Sequence, residues 1–267
     1  MIDNPKLSDL WTPAESIEYP TSWNINLWGP GGGGKSHLIV YTCPGPVFIA
    51  NFDRDISALI VKSGRKDIYV ANLHTSGLVL TDKMAEELID RFNKATEEAV
   101  TMTGGTFAVD GGSALHHILQ QLALAHLNAE QRKRRAKGKD AEHYDKLPAL
   151  HRGEINAQMN AMFASVSNSP INFVMTHQQK EIWSEQGKPT GEFEPRENSQ
   201  VEYGVDMEVR IFAAWQPAGR DPKTKQPTEK MLKHYGRVTL CKHNRDIEDM
   251  KVSDPTWEYL TGLMEIS

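Results

Sequence analysis

At 267 residues, with 39% apolar and 24% charged residues, the chain has room for one large domain or two small ones and the composition of an ordinary globular protein. It can bury a full core without disulfide or metal support, and its net charge of -5 excludes a surface that binds nucleic acid everywhere, while leaving room for a local basic patch. No apolar run approaches a membrane span, Met1 to Glu18 reads as neither signal peptide nor anchor, and Cys43 and Cys241 lack metal-ligand spacing, so a cytoplasmic protein with structural thiols is expected.

Strand and helix patterns alternate along the chain, which predicts a parallel sheet with helices on its faces. The first strand is expected over Trp23 to Trp28, followed by a glycine-rich bend and a short helix to about Thr42. Pro44-Gly45-Pro46 stops that helix, and Val47 to Ala50 reads as a buried strand. A short helical stretch leads to a strand over Ile68 to Leu73. Thr81 then opens a helix with Met84, Leu88, Phe92 and Ala99 at helical spacing, ended by Gly104-Gly105. Thr106 to Asp110 is a strand ending in an acid, and the helix after it carries Leu115, Ile118, Leu119 and Leu122.

Beyond a basic stretch, Ile155, Met159, Met162, Phe163 and Val166 mark another helix, broken at Ser169-Pro170. Ile171 to Thr176 is strand again. Residues 178–204 are polar and contain Gly187, Pro189, Gly191 and Pro195, so they read as a long functional loop. Two strands, Met207 to Trp215 and Arg237 to Lys242, predict an antiparallel pair at the sheet edge. Pro255 starts a terminal helix with Trp257, Leu260 and Leu263 as its packing face. One domain spans 1–267, with an N-terminal extension over 1–20, a candidate DNA-binding loop over 178–204 and a C-terminal helix over 250–267.

Gly29-Pro30-Gly31-Gly32-Gly33-Gly34-Lys35-Ser36 satisfies G-x-x-x-x-G-K-[ST] between a strand and a helix, the context that gives this pattern its meaning. Glycines let successive backbone N–H groups converge on phosphate oxygens, and the helix that begins here adds its positive end. Lys35 offers a mobile cation to the β- and γ-phosphates, and the Ser36 hydroxyl is a hard ligand for Mg²⁺. His37 completes this candidate ATP-binding stretch. Asp110, at a strand end, fits the Walker B acid that binds the magnesium through water, although a strand-end aspartate capping the next helix is a common alternative.

In order, four motifs make the chain similar to the RecA-like P-loop ATPases of phages, an AAA-type family that includes single-strand annealing ATPases found beside phage recombination genes. The P-loop is followed by a strand ending in an acid (Phe48-Ile49-Ala50-Asn51-Phe52-Asp53) and by Val109-Asp110-Gly111-Gly112-Ser113. A fourth strand ends in Val174-Met175-Thr176-His177-Gln178, and a late one in Leu240-Cys241-Lys242-His243-Asn244-Arg245. The resemblance implies a RecA-like α/β fold, a mostly parallel sheet flanked by helices with antiparallel strands at one edge. It implies ATP hydrolysis with Mg²⁺ in a ring or filament, on single-stranded DNA, in phage recombination, annealing or replication, alongside recombination or single-strand-binding proteins. Asp53 stands where that family orients the attacking water, usually with a glutamate, and Asp55 is the reserve; Gln178 and His177 stand where it senses the γ-phosphate. Lys242 and Arg245 stand where it inserts cations into a neighbour's site.

Two segments are candidate DNA contacts. Arg132, Lys133, Arg134 and Arg135 lie in the densest cationic run, Gln131 to Lys139, which follows an apolar helix and projects as a finger or forms a solvated helix end. Lys180, Trp183, Lys188 and Arg196, with Phe193, interleave aromatics with cations as single-strand binding requires. Trp183 and Phe193 are equally suited to pinning this loop to the core. The rival readings are a nucleotide switch with little hydrolysis, which the shorter Asp53 favours, a ring helicase, and a small-molecule or nucleotide kinase with residues 132–139 as its basic lid.

Overall fold

The computed structural model describes residues 21–74, 80–196, 201–217 and 230–265; the extension expected over 1–20 lies outside the described residues. The elements run β1 (Asn24–Gly29), α1 (Lys35–Thr42), β2 (Val47–Asn51), α2 (Ser57–Ser63), β3 (Ile68–Asn72), α3 (Asp82–Val100) and β4 (Thr106–Asp110). They continue with α4 (Gly112–Ala136), α5 (Gly153–Ser167), β5 (Asn172–Trp183), β6 (Pro189–Pro195), α6 (Val201–Gly204), β7 (Met207–Pro217), β8 (Lys230–Cys241), β9 (Lys251–Ser253) and α7 (Trp257–Glu265). As Thr81's place in the sequence predicts, its hydroxyl caps α3 by accepting the Met84 N–H at 3.3 Å.

One sheet joins the strands in the order β3-β2-β4-β5-β1-β7-β8-β9. From β3 to β7 every neighbouring pair is parallel, and β8 and β9 add antiparallel strands on one side. The α/β class is therefore the expected one, a mostly parallel sheet with antiparallel strands toward one edge. The β7–β8 pair is not itself the edge: β7 is an interior strand parallel to β1, and β9, too short to leave a periodic signal, takes the outside place.

Both faces of the sheet are covered, so its strands alternate between two apolar layers. Ile25, Leu27, Ala108 and Val174 face Leu38 and Ile39 of α1 and Trp257 and Leu260 of α7. Phe107, Val109, Phe173 and Met175 face Leu88 and Phe92 of α3, Leu115 and Ile118 of α4, and Ile155, Met159 and Phe163 of α5. Covering both faces fixes the height of every strand end, and the functional residues stand on those ends.

Two expectations are corrected here. Most of 178–204 is not a loop: β5 continues past the sheet to Trp183 and returns as β6, an antiparallel ribbon with Lys180 opposite Glu194 and Glu181 opposite Phe193. Pro189 and Pro195 are the first and last residues of β6, where a missing N–H does least harm to the ladder, and Gly187 takes a left-handed φ of 71° in the turn. The ribbon is largely exposed, so its polarity is that of a solvated strand. The basic run, in turn, does not follow α4 but forms its last turns, ending at a left-handed Gly138. Arginine, lysine, glutamine and alanine are strong helix formers, and cations favour a helix C-terminus.

Candidate functional site

The ends of β1, β2, β4 and β5 lie side by side, with Gly29 level with Gln178 and Asn51 level with Asp110. The glycine-rich bend connects β1 to α1 above them. Gly34, the residue before α1, has φ +108°, and a Cβ there would stand 2.7 Å from the His234 ring, so only glycine fits. Lys35 folds back over the bend and donates to the carbonyls of Gly29 (3.0 Å) and Pro30 (2.9 Å). Burial lowers its pKa, against the opposing pull of Asp110 and Asp53.

Asp110 is buried, and its carboxylate accepts from the Thr176 hydroxyl at 2.7 Å and from the Ser36 hydroxyl. Burial raises its pKa above the ordinary carboxylate value, while those two hydrogen bonds pull it down. The Thr176 oxygen also accepts the Gly111 N–H at 2.9 Å, fixing the turn after β4. Gly111, at φ +103°, lets the Asp53 backbone approach: a Cβ there would meet the Asp53 nitrogen at 2.8 Å. Ser36 and Asp110 thus present two hard oxygens side by side next to a buried ammonium, a donor set that fits Mg²⁺ beside a polyphosphate.

A cleft of about 400 Å³ opens over these groups. Gly31 to His37 form one wall, and Asp53, Arg54, Asp55, Gln178 and His234 line the rest. Asp53 and Asp55 are both exposed, and Asp53 is the one close enough to act on the charges of Lys35 and Asp110.

The two expected sensors separate. Gln178 lines the cleft, but His177, one residue earlier on the strand, turns to the opposite face. It is buried, its Nδ1 lies 2.8 Å from the Asn26 Oδ1, and burial drops its pKa to about 3, so the ring is neutral and donates to that amide oxygen. Asn26 in turn donates to Glu208 at 2.8 Å, which makes this a structural chain under the sheet's end.

Lys242 and Arg245 lie elsewhere. β8 runs against β7, so Cys241 is level with Met207 and, through it, with Ile25 at the start of β1. The pair is therefore about one strand length, roughly 20 Å, from the P-loop of its own chain. Arg132 to Arg135 are also distant: α4 starts beside Asp110 and carries them about 30–35 Å along the helix. That separation removes residues 132–139 as a lid over this cleft, and with it the sequence feature behind the kinase reading.

On the ribbon, Lys180 pairs with Glu194 at 3.0 Å, and Lys188 closes the turn by accepting the Ser184 N–H. Phe193 is pinned under Arg210, whose guanidinium carbon is 4.7 Å from the ring centre, whereas Trp183 is 61% exposed. Arg196 is tied through its backbone, donating to Gln178 at 2.7 Å and accepting from Ser113 at 3.3 Å. Arg54, Thr176 and His234 are site residues that sequence reasoning does not single out. Thr176 is visible as a strand-end polar residue, but His234 lies some two hundred positions from the bend it touches, and its sequence neighbourhood carries no signal.

No family model and no curated protein matches the chain. Among solved structures it is similar to the KaiC-like protein PH0186 from the hyperthermophilic archaeon Pyrococcus horikoshii OT3, with a TM-score of 0.42 and 12% identity over 86% of this chain and 84% of that one. It is also similar to the ATPase EscN of the enteropathogenic E. coli type III secretion system, with a TM-score of 0.45 and 12% identity over 72% of this chain; the match spans 43% of EscN. In the sheet order β3-β2-β4-β5-β1-β7-β8-β9 the glycine-rich bend follows β1 and Asp110 ends β4, two strands away.

Proposed function

We propose that the chain binds ATP with Mg²⁺ in the cleft above β1, β4 and β5, hydrolyses it, and uses the β5–β6 ribbon to couple nucleotide state to single-stranded DNA. The observation that supports this most is the meeting of Lys35 and Ser36, at the start of α1, with Asp110 at the end of β4. The N–H groups of the glycine bend hold phosphate oxygens, and Lys35 leaves its backbone acceptors to neutralise them. Ser36 and Asp110 would hold magnesium, which supplies charge neutralisation on the transferring phosphoryl group. Asp53 orients water at the open side of the cleft, and Gln178 meets the far phosphate.

Trp183, exposed on a ribbon with Lys188 at its turn, supports stacking against bases while cations follow the backbone. Because Lys242 and Arg245 lie at the other end of the sheet, they reach a triphosphate only in a second copy, which favours a ring or filament. A role in phage recombination, annealing or replication rests on the order of the sequence motifs. The deciding measurement is ATP turnover with Mg²⁺, with and without single-stranded DNA, alongside the mass of the assembly. Turnover that rises with DNA and vanishes in Lys35→Ala is expected; a Lys35→Ala protein with unchanged nucleotide affinity refutes the site.

A further inference from the structure

Three aromatic rings are layered beside the P-loop. Tyr41 stacks on His37 with centroids 4.2 Å apart and planes 16° from parallel. The His234 ring lies 6.1 Å from His37, within 9° of parallel. His37 follows Ser36 directly on α1, while His234 reaches the same cleft from β8. We propose that His37 and His234 clamp the nucleobase of the bound nucleotide between their rings, and that the cleft therefore selects a purine nucleoside triphosphate. The proposal rests on reading the cleft as a triphosphate site.

Two observations carry it. First, a flat ring between two others needs about 3.5 Å on each side, or about 7 Å between the outer pair. The two imidazoles are already nearly parallel, with centroids 6.1 Å apart, and a side-chain rotation of His37 or His234 opens the gap between them. Second, neither ring is placed at random. The His234 Nδ1 lies 2.9 Å from the Gly33 carbonyl, which can only accept, so that nitrogen carries the hydrogen and the ring plane is set by the P-loop itself. Tyr41, one turn further along α1, stacks on His37 without lining the cleft, whereas His37 and His234 both line it. A bicyclic purine overlaps both rings more fully than a pyrimidine does.

Binding of MgATP, MgCTP and inorganic tripolyphosphate with Mg²⁺ to the full chain and to His234→Ala, His234→Phe and Lys35→Ala tests this. His234→Ala is expected to weaken ATP roughly tenfold, the scale of one base–aromatic stack, while tripolyphosphate affinity stays the same. His234→Phe, which keeps the ring and loses the hydrogen bond, restores most of the affinity, and the parent protein prefers ATP to CTP. Equal weakening of ATP and tripolyphosphate in His234→Ala overturns the clamp, because the ring would then only brace the Gly33 carbonyl. Unchanged ATP affinity in His234→Ala overturns it too. If the parent protein binds neither ATP nor tripolyphosphate, the triphosphate reading itself fails, an outcome distinct from both.

Discussion

Replacing Thr176 by valine removes one oxygen from the centre of the site and almost nothing else. Thr176 is buried, donates to Asp110 at 2.7 Å and accepts from the Gly111 N–H at 2.9 Å. Valine has the same shape, so no cavity opens. A hydrogen bond to a charged group contributes about 1.5–3 kcal/mol, and the stranded Gly111 N–H adds about 1 kcal/mol more, so a destabilisation of roughly 2–4 kcal/mol is expected at neutral pH. The effect is pH-dependent. Because the Asp110 pKa is raised on folding, the native state holds that proton more tightly than the unfolded chain does. Stability therefore falls as pH rises from the ordinary value of 3.8 through the raised one. The Thr176 hydrogen bond opposes that rise, so its removal extends the unfavourable window upward. The Thr176→Val penalty is thus greatest where Asp110 is charged and shrinks toward the acid end. Urea unfolding without nucleotide and with a chelator, across the pH range in which the chain folds, reads this directly. Thr176→Ser keeps the hydroxyl and serves as the control. A valine variant as stable as the serine one at neutral pH, or a penalty that does not change with pH, refutes the reasoning.

Arg245→Ala is expected to cut ATP turnover by about a thousandfold or more while sparing nucleotide affinity, and mixing it with Lys35→Ala protein should restore part of the activity. No recovery on mixing excludes a cation supplied between copies. Asp53→Glu lengthens the acid by one methylene; a large gain in turnover supports a nucleotide switch in which hydrolysis is held back, and a decrease supports Asp53 as already well placed. Trp183→Ala should weaken single-stranded DNA roughly tenfold. Replacing Arg132, Lys133, Arg134 and Arg135 by glutamine should lower the salt slope of DNA binding by about 0.7 for each phosphate that these side chains neutralise. An unchanged slope assigns those four residues to a solvated helix end.

Legibility in the sequence follows the range of the interactions. The P-loop is local: eight consecutive residues between a strand and a helix are enough, and spacing alone places Lys35 and Ser36. The strand ends are legible because both faces of the sheet are buried, so segments such as Phe107 to Val109 and Phe173 to Met175 stand out as apolar runs. The β5–β6 ribbon is not, because it has no core face and its prolines resemble loop punctuation until their partners are known. His177 departs from its expected place by a single residue of strand alternation, which turns its ring under the sheet while Gln178 enters the cleft. His234 and Arg54 carry no readable signal, since each becomes a site residue only when the chain folds back.

β5 links the parts of the site that sequence separates. Its Phe173 sits in the core between α5 and the sheet, its Thr176 holds Asp110, its Gln178 lines the cleft, and five residues later its Trp183 stands exposed on the ribbon. The return strand is tied back at the same level: Arg196 donates to the Gln178 carbonyl, and Ser113, in the first turn of α4, accepts from Gln178 at 3.2 Å and donates to Arg196. Ser113 lies three residues after Asp110, so the turn that carries the acid and the base of the ribbon share two hydrogen bonds. A change in charge or ligation at Asp110 therefore has a short physical route to the ribbon, through Gly111, Gly112 and Ser113, without passing through the core. Close packing on both faces of the sheet keeps β5 itself from yielding, which leaves that exposed hydrogen-bonded corner as the part of the site freest to rearrange.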